Sequence, residues 1–374
     1  MKTLFYSCFL FSIILFCLSC KKNVQEDNAI YQIKLTKGEE NGKKIVDFID
    51  NIDYIKLETT EESLLGFISK LTITNDRIYV LDQLLTKALF VFDKSGKFLF
   101  KIGRVGNGPG EYVVVTDFYL NEKDSTIHLL ADGRKIINFD YDGSFIDEKR
   151  LPLLHSSYIL PFSCDNYALV NHVSAGDEYL VYMTNQNFDI QKQYLKTPKG
   201  WERIVRLLNI DYSEANEKYL LSYICSTTIY ELSGNDIIPK YNFIIPENEK
   251  LTESKIDNLK QLDTHQLVME TFNYFSLEGY FELDNILFVE FSMNKNKYWG
   301  MFDMLNNTFE YNERSYDKVE DNFAYPIFLS RVNEKSLAGF IMPSLLPEDN
   351  YLGLTEDSNP IIGIYDFDFS HLNK

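Results

Sequence analysis

From Ile45 onward the chain is a succession of short apolar runs separated by turn residues. Tyr54–Leu57, Ile68–Ile73, Ile78–Leu81, Leu89–Phe92 and Phe98–Ile102 follow one another with only a few polar positions between them. Runs of this length, rich in β-branched and aromatic residues and punctuated by Gly, Asp and Asn, predict strands. Helical spacing is confined to Trp201–Asn209 and Lys250–Glu270, where apolar residues recur at mixed intervals of three and four. Many short strands with frequent turns predict an all-β sandwich, barrel or propeller.

A repeat selects among these. Residues 78–99 and 127–146 both end in Phe-Asp-x-x-Gly-x-Phe, carried by Phe92-Asp93, Gly96 and Phe98 and by Phe139-Asp140, Gly143 and Phe145, an offset of 47 residues. A degenerate copy runs from Phe302-Asp303 to Phe309 with Asn306 where glycine stood, and fainter echoes fall at Tyr182–Leu195, Ile229–Phe243 and Ile361–Phe369. The motif reads as a hairpin. The Asp side chain caps the turn, the glycine supplies positive φ, and the flanking aromatics share one face of two antiparallel strands. A unit of 40–50 residues holds four strands, the size of a propeller blade. Units laid end to end cover about 62–104, 105–152, 153–197, 203–247, 265–314 and 320–371. The strand at Tyr54–Glu58 precedes the first unit, so residues 45–60 are expected to complete the last blade and close the ring. The expected fold is a six-bladed β-propeller of four antiparallel strands per blade.

The first twenty residues set the address. Lys2 precedes an apolar run from Leu4 to Leu18, then come Ser19-Cys20 and Lys21-Lys22. The run is shorter than the ~20 residues a bilayer core needs, and a charged start with a short apolar core fits a secretory signal. The small residue before cysteine resembles a bacterial lipobox. That resemblance implies cleavage after residue 19 and lipid attachment at Cys20, the protein then being anchored to a membrane rather than spanning it. Residues 1–19 are thus expected as a lipoprotein signal peptide, 20–44 as a polar tether with one short strand at Ile30–Leu35, and 45–374 as the propeller domain.

Several stretches together resemble a known group: Tyr54-Ile-Lys-Leu-Glu-Thr-Thr60, Ser63-Leu-Leu-Gly66, Asn75-Asp-Arg-Ile-Tyr-Val80, Val91-Phe-Asp93 with Gly96, and Gly106-Asn-Gly-Pro-Gly-Glu-Tyr112. They are similar to the six-bladed β-propeller lipoproteins of Bacteroidota, relatives of NHL-repeat propellers. The resemblance is dense over residues 50–150, and its most specific element is Gly-x-Gly-Pro-Gly-Glu-Tyr. It implies a propeller on a lipid anchor in the cell envelope and carries no catalytic residue across. Lys21 replaces the aspartate that commonly retains lipoproteins at an inner membrane, which implies the outer membrane. Periplasmic or outward orientation stays open.

Charge and cysteine content narrow the partners. Thirty-seven Lys and Arg face 55 Asp and Glu, for a formal charge of −18, and loss of Lys2 with the signal takes it to −19. Phosphate binding needs clustered cations, and none occurs beyond short pairs, which argues against nucleic acid. The 25 Tyr and 28 Phe suit pleated strand faces. Only Cys20, Cys164 and Cys225 survive processing. The last two say nothing firm about pairing, and buried free thiols are the simpler reading.

The candidate motifs weigh little as chemistry. Gly103–Gly110 lacks the Gly-Lys-Ser/Thr ending and the strand–helix setting of a phosphate loop, and reads as a connection between blades. His128, His155, His172, His265 and His371 show no metal-ligand spacing. The acidic turns at Asp140–Asp142 and Asp366–Asp368 lack the calcium-loop pattern. Ser226 and Ser233 have no nucleophile elbow. The sequence therefore offers no catalytic residue, no metal ligand, no cofactor and no identifiable ligand-binding residue; its one site residue is the lipid attachment at Cys20. It supports an envelope lipoprotein that binds a glycan, a peptide or an envelope protein on one face of the propeller. The alternative is a hydrolase or lyase on carbohydrate or peptide, with acidic or His residues meeting at the channel mouth.

Overall fold

The computed structural model describes residues 31–36, 45–152, 156–162, 166–171, 178–196, 210–213, 218–223, 225–259, 261–314, 327–345 and 353–370. Two strands precede the first repeat, β1 (Tyr31–Lys34) and β2 (Ile49–Lys56). Blade 1 is β3 (Lys70–Ile73), β4 (Arg77–Asp82), β5 (Ala88–Asp93) and β6 (Phe98–Ile102). Blade 2 is β7 (Val115–Asn121), β8 (Thr126–Ala131), β9 (Lys135–Asp140) and β10 (Phe145–Arg150). Blade 3 is β11 (Ser156–Phe162), β12 (Asn166–Asn171), β13 (Tyr179–Thr184) and β14 (Ile190–Lys196). Blade 4 is β15 (Ile210–Ser213), β16 (Lys218–Leu221), β17 (Thr228–Ser233) and β18 (Asp236–Ile244). Blade 5 is β19 (Ser276–Leu283), β20 (Ile286–Met293), β21 (Asn296–Asp303) and β22 (Thr308–Glu313). Blade 6 holds β23 (Ile327–Asn333), β24 (Ser336–Ile341) and β25 (Ile361–Phe367). Its fourth strand is β2, antiparallel to β25 from Ile49↔Phe367 to Lys56↔Ile361. The six blades and the closing strand expected from the sequence are both present.

Within each blade the strands run A to D from the axis outward, and neighbouring A strands meet around the axis. Because successive strands are antiparallel, the A–B and C–D turns lie at one end of the ring and the B–C and D–A connections at the other. The core is divided into six clusters, each between two adjacent blades. In β4, Ile78 and Val80 point to the blade 6 side while Tyr79 and Leu81 point to blade 2. Both faces of a blade are therefore covered. That is why B and C strands read as continuous apolar runs, ALFVFD in β5 among them, while the outermost β10 is exposed along its length. The wedge-shaped gaps between blades are filled by aromatics: Tyr79, Tyr112, Tyr241, Phe90, Phe118 and Phe288 are among the largest fully buried side chains.

The repeated hairpin is built as expected. Gly96 and Gly143 have φ of +85° and +81°. Asp93 Oδ1 accepts the N–H groups of Ser95 and Lys97, and Asp140 Oδ1 those of Asp142 and Ser144. Phe92 pairs with Phe98 and Phe139 with Phe145, each as an edge-on ring contact. The copy at Asp303 departs from expectation. The positive φ falls on Asn307, at +53°, not on Asn306, whose amide instead binds Asp303 Oδ2. This turn is one residue longer, so the left-handed position moves by one. Blade 3 carries the same turn in disguise. Asn185 Oδ1 accepts from Asn187 and Asp189, and Phe188 takes the left-handed position at φ +65°. The Phe188 ring is buried against Tyr167 with Lys149 of blade 2 above it, a contact set against the strain of that backbone.

Two additions lie outside the repeat. The short strand expected at Ile30–Leu35 is β1, which adds a fifth strand, parallel to β18, on the outer edge of blade 4. Helices α1 (Glu253–Leu259) and α2 (Thr264–Thr271) fill the D–A connection between blades 4 and 5, over the Lys250–Glu270 stretch of mixed three- and four-residue spacing. Asp263 and Gln266 form a capping box on α2. Ile256, Leu259 and Leu267 of these helices pack on the blade 3–4 cluster. The helical stretch expected at Trp201–Asn209 lies outside the described residues.

Candidate functional site

The inner strands of the ring are joined by side-chain bonds. Lys70 Nζ of β3 donates to Asp117 Oδ1 at 2.6 Å and to the Phe118 carbonyl at 2.7 Å. Asp117, on β7 and almost fully buried, accepts the Ile159 N–H of β11 on its other oxygen at 3.0 Å. Side chains thus satisfy backbone groups on the open edges of A strands and link three blades. A second, partly buried network between blades 4 and 5 holds Lys218, Glu231, Lys240 and Glu282 with the Tyr241 hydroxyl, two cations against two carboxylates. Burial would lower the Lys240 pKa, but Glu282 and Glu231 hold it above the usual lysine value. Among the described residues no group of three or more His, Cys, Asp or Glu is placed to hold a metal ion.

The residues singled out from sequence occupy structural positions. His128 of β8 stacks on Tyr119 with ring centroids 4.3 Å apart, and its Nε2 lies 2.8 Å from Thr126 Oγ1. Burial lowers its pKa, opposed by the Asn138 side chain and by Asp147 and Asp124. The unfolded chain therefore binds this proton more readily, so stability is full above about pH 6.5 and falls as pH drops toward the folded-state pKa. Urea midpoints measured from about pH 8 to about pH 5 should show this limb, with a slope of at most about 1.4 kcal/mol per pH unit. His128→Phe, which keeps a ring on Tyr119, should flatten it; parallel profiles for the two proteins would refute the assignment.

Cys225 is a buried free thiol, pushed up to about 12 by burial. Ser226 Oγ donates to the Thr228 carbonyl. Asp366 accepts from Ser336 and Asn51, and Asp368 from Ser370. Cys20, Cys164, His155, His172 and His371 lie outside the described residues, as do the surroundings of His265.

The unusual surface is the end formed by the B–C and D–A connections. Among the described residues ten of seventeen exposed large hydrophobics lie there, against Leu305 alone in the turns of the opposite end. Seven belong to three neighbouring segments: Leu64 and Phe67 before β3, Leu84 and Leu85 between β4 and β5, and Val105, Val113 and Val114 between β6 and β7.

Two carboxylates hold these segments in place. Asp82, fully buried at the end of β4, accepts the N–H groups of Gly66, Phe67, Leu84, Leu85 and Thr86 and the Thr86 hydroxyl. Burial alone would raise its pKa, but these donors keep it below the usual carboxylate value. Asp132 of blade 2 does the same for Val113 and Val114. The Gly103–Gly110 segment is a connection between blades, as expected. Tyr112 anchors it: the ring is fully buried and the hydroxyl donates to the carbonyls of Lys87 and Ile102. Glu111 Oε2 accepts the Gly108 N–H, and the Gln83 amide reaches the Thr116 carbonyl. The apolar side chains of this sector are thus carried on a backbone fixed by hydrogen bonds.

Sequence reasoning missed these residues. The doublets Leu84-Leu85 and Val113-Val114 were the only signal, being large apolar pairs inside turn-rich connections where polar residues are usual.

Comparison with known proteins places the fold. A family profile described as "Domain of unknown function (DUF4934)" matches residues 30–366, from the start of β1 into β25. No curated protein matches the chain. Among solved structures, a protein described as exported from Bacteroides fragilis NCTC 9343 is 18% identical with a TM-score of 0.72, over 91% of this chain and 100% of that one. A member of the DUF4221 family from Bacteroides vulgatus ATCC 8482 is 10% identical with a TM-score of 0.55, over 86% of this chain and 97% of that one. At these identities the likeness is one of fold.

Proposed function

The chain belongs to the DUF4934 family, and from that premise we propose that it is a lipid-anchored scaffold of the cell envelope that binds a ligand through the end of its propeller built from B–C and D–A connections. One observation carries the reading: an apolar surface around blade 1, exposed yet held by Asp82, Asp132 and Tyr112 on a fixed backbone. Exposed apolar patches on rigid frames are a mark of recognition surfaces. The Asp–Gly hairpins support a relation to NHL-type propellers. Export is supported by the signal-like residues 1–19 and by the Bacteroides fragilis neighbour. No helix of the described residues is long and apolar enough to cross a membrane. Lys21 after that cysteine favours the outer membrane.

The test has two parts. Mature protein purified from membranes in detergent is screened on glycan and peptide arrays. A ligand is expected whose binding is lost on substitution in the connection end and kept in Leu305→Asp on the opposite end. Binding insensitive to every substitution in the connections would overturn the reading. For the anchor, Cys20→Ala should leave the detergent-soluble membrane fraction or accumulate as a precursor retaining residues 1–19. Normal processing and retention of that variant would show that Cys20 is not the attachment point.

A further inference from the structure

Resting on the binding-scaffold reading, we propose that the sector around Leu84, Leu85, Val105, Val113 and Val114 docks a peptide segment of a partner protein that combines carboxylates with aliphatic or aromatic side chains. The apolar half of the surface is large: Leu84 is 64% exposed, Leu85 69% and Val105 65%. Its segments are mutually tied, since Tyr112 bonds the Lys87 carbonyl, Gln83 reaches Thr116, and Lys135 Nζ donates to the Glu111 carbonyl. The cost of ordering loops on binding is therefore already met in the free protein.

Charge selects the partner. The Leu84–Leu85 and Val105–Val114 connections carry Lys87 and Arg104, and the β8–β9 turn bonded to Val113 and Val114 through Asp132 carries Arg134; among the described residues none of the three is in an ion pair. The carboxylates beside them are engaged internally. Glu111 accepts the Gly108 N–H, Asp132 accepts those of Val113 and Val114, and Asp82 is fully buried. In a chain with 55 acids against 37 bases, three unpaired cations beside these apolar side chains are complementary to an acidic ligand, the exposed Glu61 and Glu62 lying on the adjoining connection before Leu64. Guanidinium groups pair carboxylates in bidentate fashion, and Leu and Val side chains give aliphatic residues a surface to cover. The net charge of −18 disfavours an anionic bilayer. At the opposite side of this same end, α1 and α2 cover the blade 3–4 cluster.

The experiment is panning of a random-peptide display library on the purified mature protein. Enriched clones should be rich in Asp, Glu, Leu, Ile and Phe and poor in Lys and Arg. For a synthesised enriched peptide, affinity should fall at least about tenfold, or ~1.4 kcal/mol, in Leu84→Asp/Leu85→Asp and in Arg104→Glu/Arg134→Glu. It should weaken with added salt and be unchanged in Leu305→Asp. Clones without acidic enrichment, or affinities indifferent to both double variants, would overturn the proposal. An array ligand lost in Met269→Asp/Phe272→Asp, at the helical sector, but kept in the Leu84/Leu85 variant would overturn it while leaving the scaffold reading standing. A concentration-dependent dimer abolished by Leu84→Asp/Leu85→Asp would assign the surface to a second copy instead. So too, an environment-sensitive dye on Leu85→Cys should report water when the protein is reconstituted on phosphatidylethanolamine–phosphatidylglycerol vesicles; a blue shift there would assign the surface to lipid.

Discussion

Removal of residues 45–56 is expected to abolish folding. β2 precedes blade 1 in sequence yet belongs to blade 6. β2 is the only covalently remote strand of blade 6, and its pairing with β25 joins the two ends of the described propeller. Ile45 and Phe48, 4% and 2% exposed, fill the blade 5–6 cluster with Phe288, Phe328 and Phe367. Burial of two such side chains stabilises by roughly 3–6 kcal/mol, a large part of the roughly 5–15 kcal/mol that holds a typical domain together. The loss does not end there. β25 would become an open edge, its N–H and C=O groups a template for pairing with other chains. The connection after β2 would also lose its frame. Asn359, almost fully buried, donates to the Glu58 and Ser63 carbonyls and accepts the Leu65 N–H, while Glu58 bonds Gly96 and Phe98 of blade 1. The deleted chain should elute as aggregate and show no cooperative transition in far-UV circular dichroism. A monomer that melts cooperatively near the wild-type temperature would show that closure by β2 is dispensable.

The closing strand was legible in the sequence because Tyr54–Glu58 has strand character and no repeat unit of its own to pair with. Blade count was legible for a different reason. Asp93/Gly96 and Asp140/Gly143 are spaced by one blade, and a capping carboxylate with a left-handed residue three positions later leaves a readable mark. Blade 3 hides that mark. Asn185 does the work of the Asp, and Phe188 accepts the left-handed backbone because its ring is buried against Tyr167. Local preference was overridden there by packing, which no local pattern reveals. The candidate binding surface was illegible for a related reason. Leu84 and Val113 resemble core residues in any alternation scheme. Only the destination of the Asp82 and Asp132 carboxylates, turned inward to hold the loops, leaves those apolar side chains facing water.

The glycines of the repeat test how far one local signal can stand for two physical demands. Gly96 has φ +85°, a conformation that costs an L-residue roughly 1–2 kcal/mol. It also lies against the preceding blade. A Cβ at Gly96 would come 2.0 Å from the Lys56 carbonyl oxygen at the end of the closing strand, and the Gly96 carbonyl accepts the Glu58 N–H at 2.8 Å. Gly143 repeats the arrangement in milder form, its Cβ meeting the edge of the Phe100 ring of blade 1 at 2.8 Å. Gly234, in the corresponding turn of blade 4, has φ +56° with nothing within 4 Å. Alanine at the three positions separates conformation from contact. Gly234→Ala should cost only the backbone term, about 1–2 kcal/mol. Gly143→Ala should cost somewhat more, because a ring can turn aside. Gly96→Ala must move the Lys56 carbonyl at the end of the closing strand, and should cost about 3 kcal/mol or more, with Gly96→Val worse. Urea midpoints compared at a common denaturant slope give the order directly. Equal losses at Gly96 and Gly234 would mean that positive φ alone explains the motif. The expected order would mean that the glycine is held at Gly96 and Gly143 by contact with the preceding blade as well as by positive φ, and at Gly234 by φ alone.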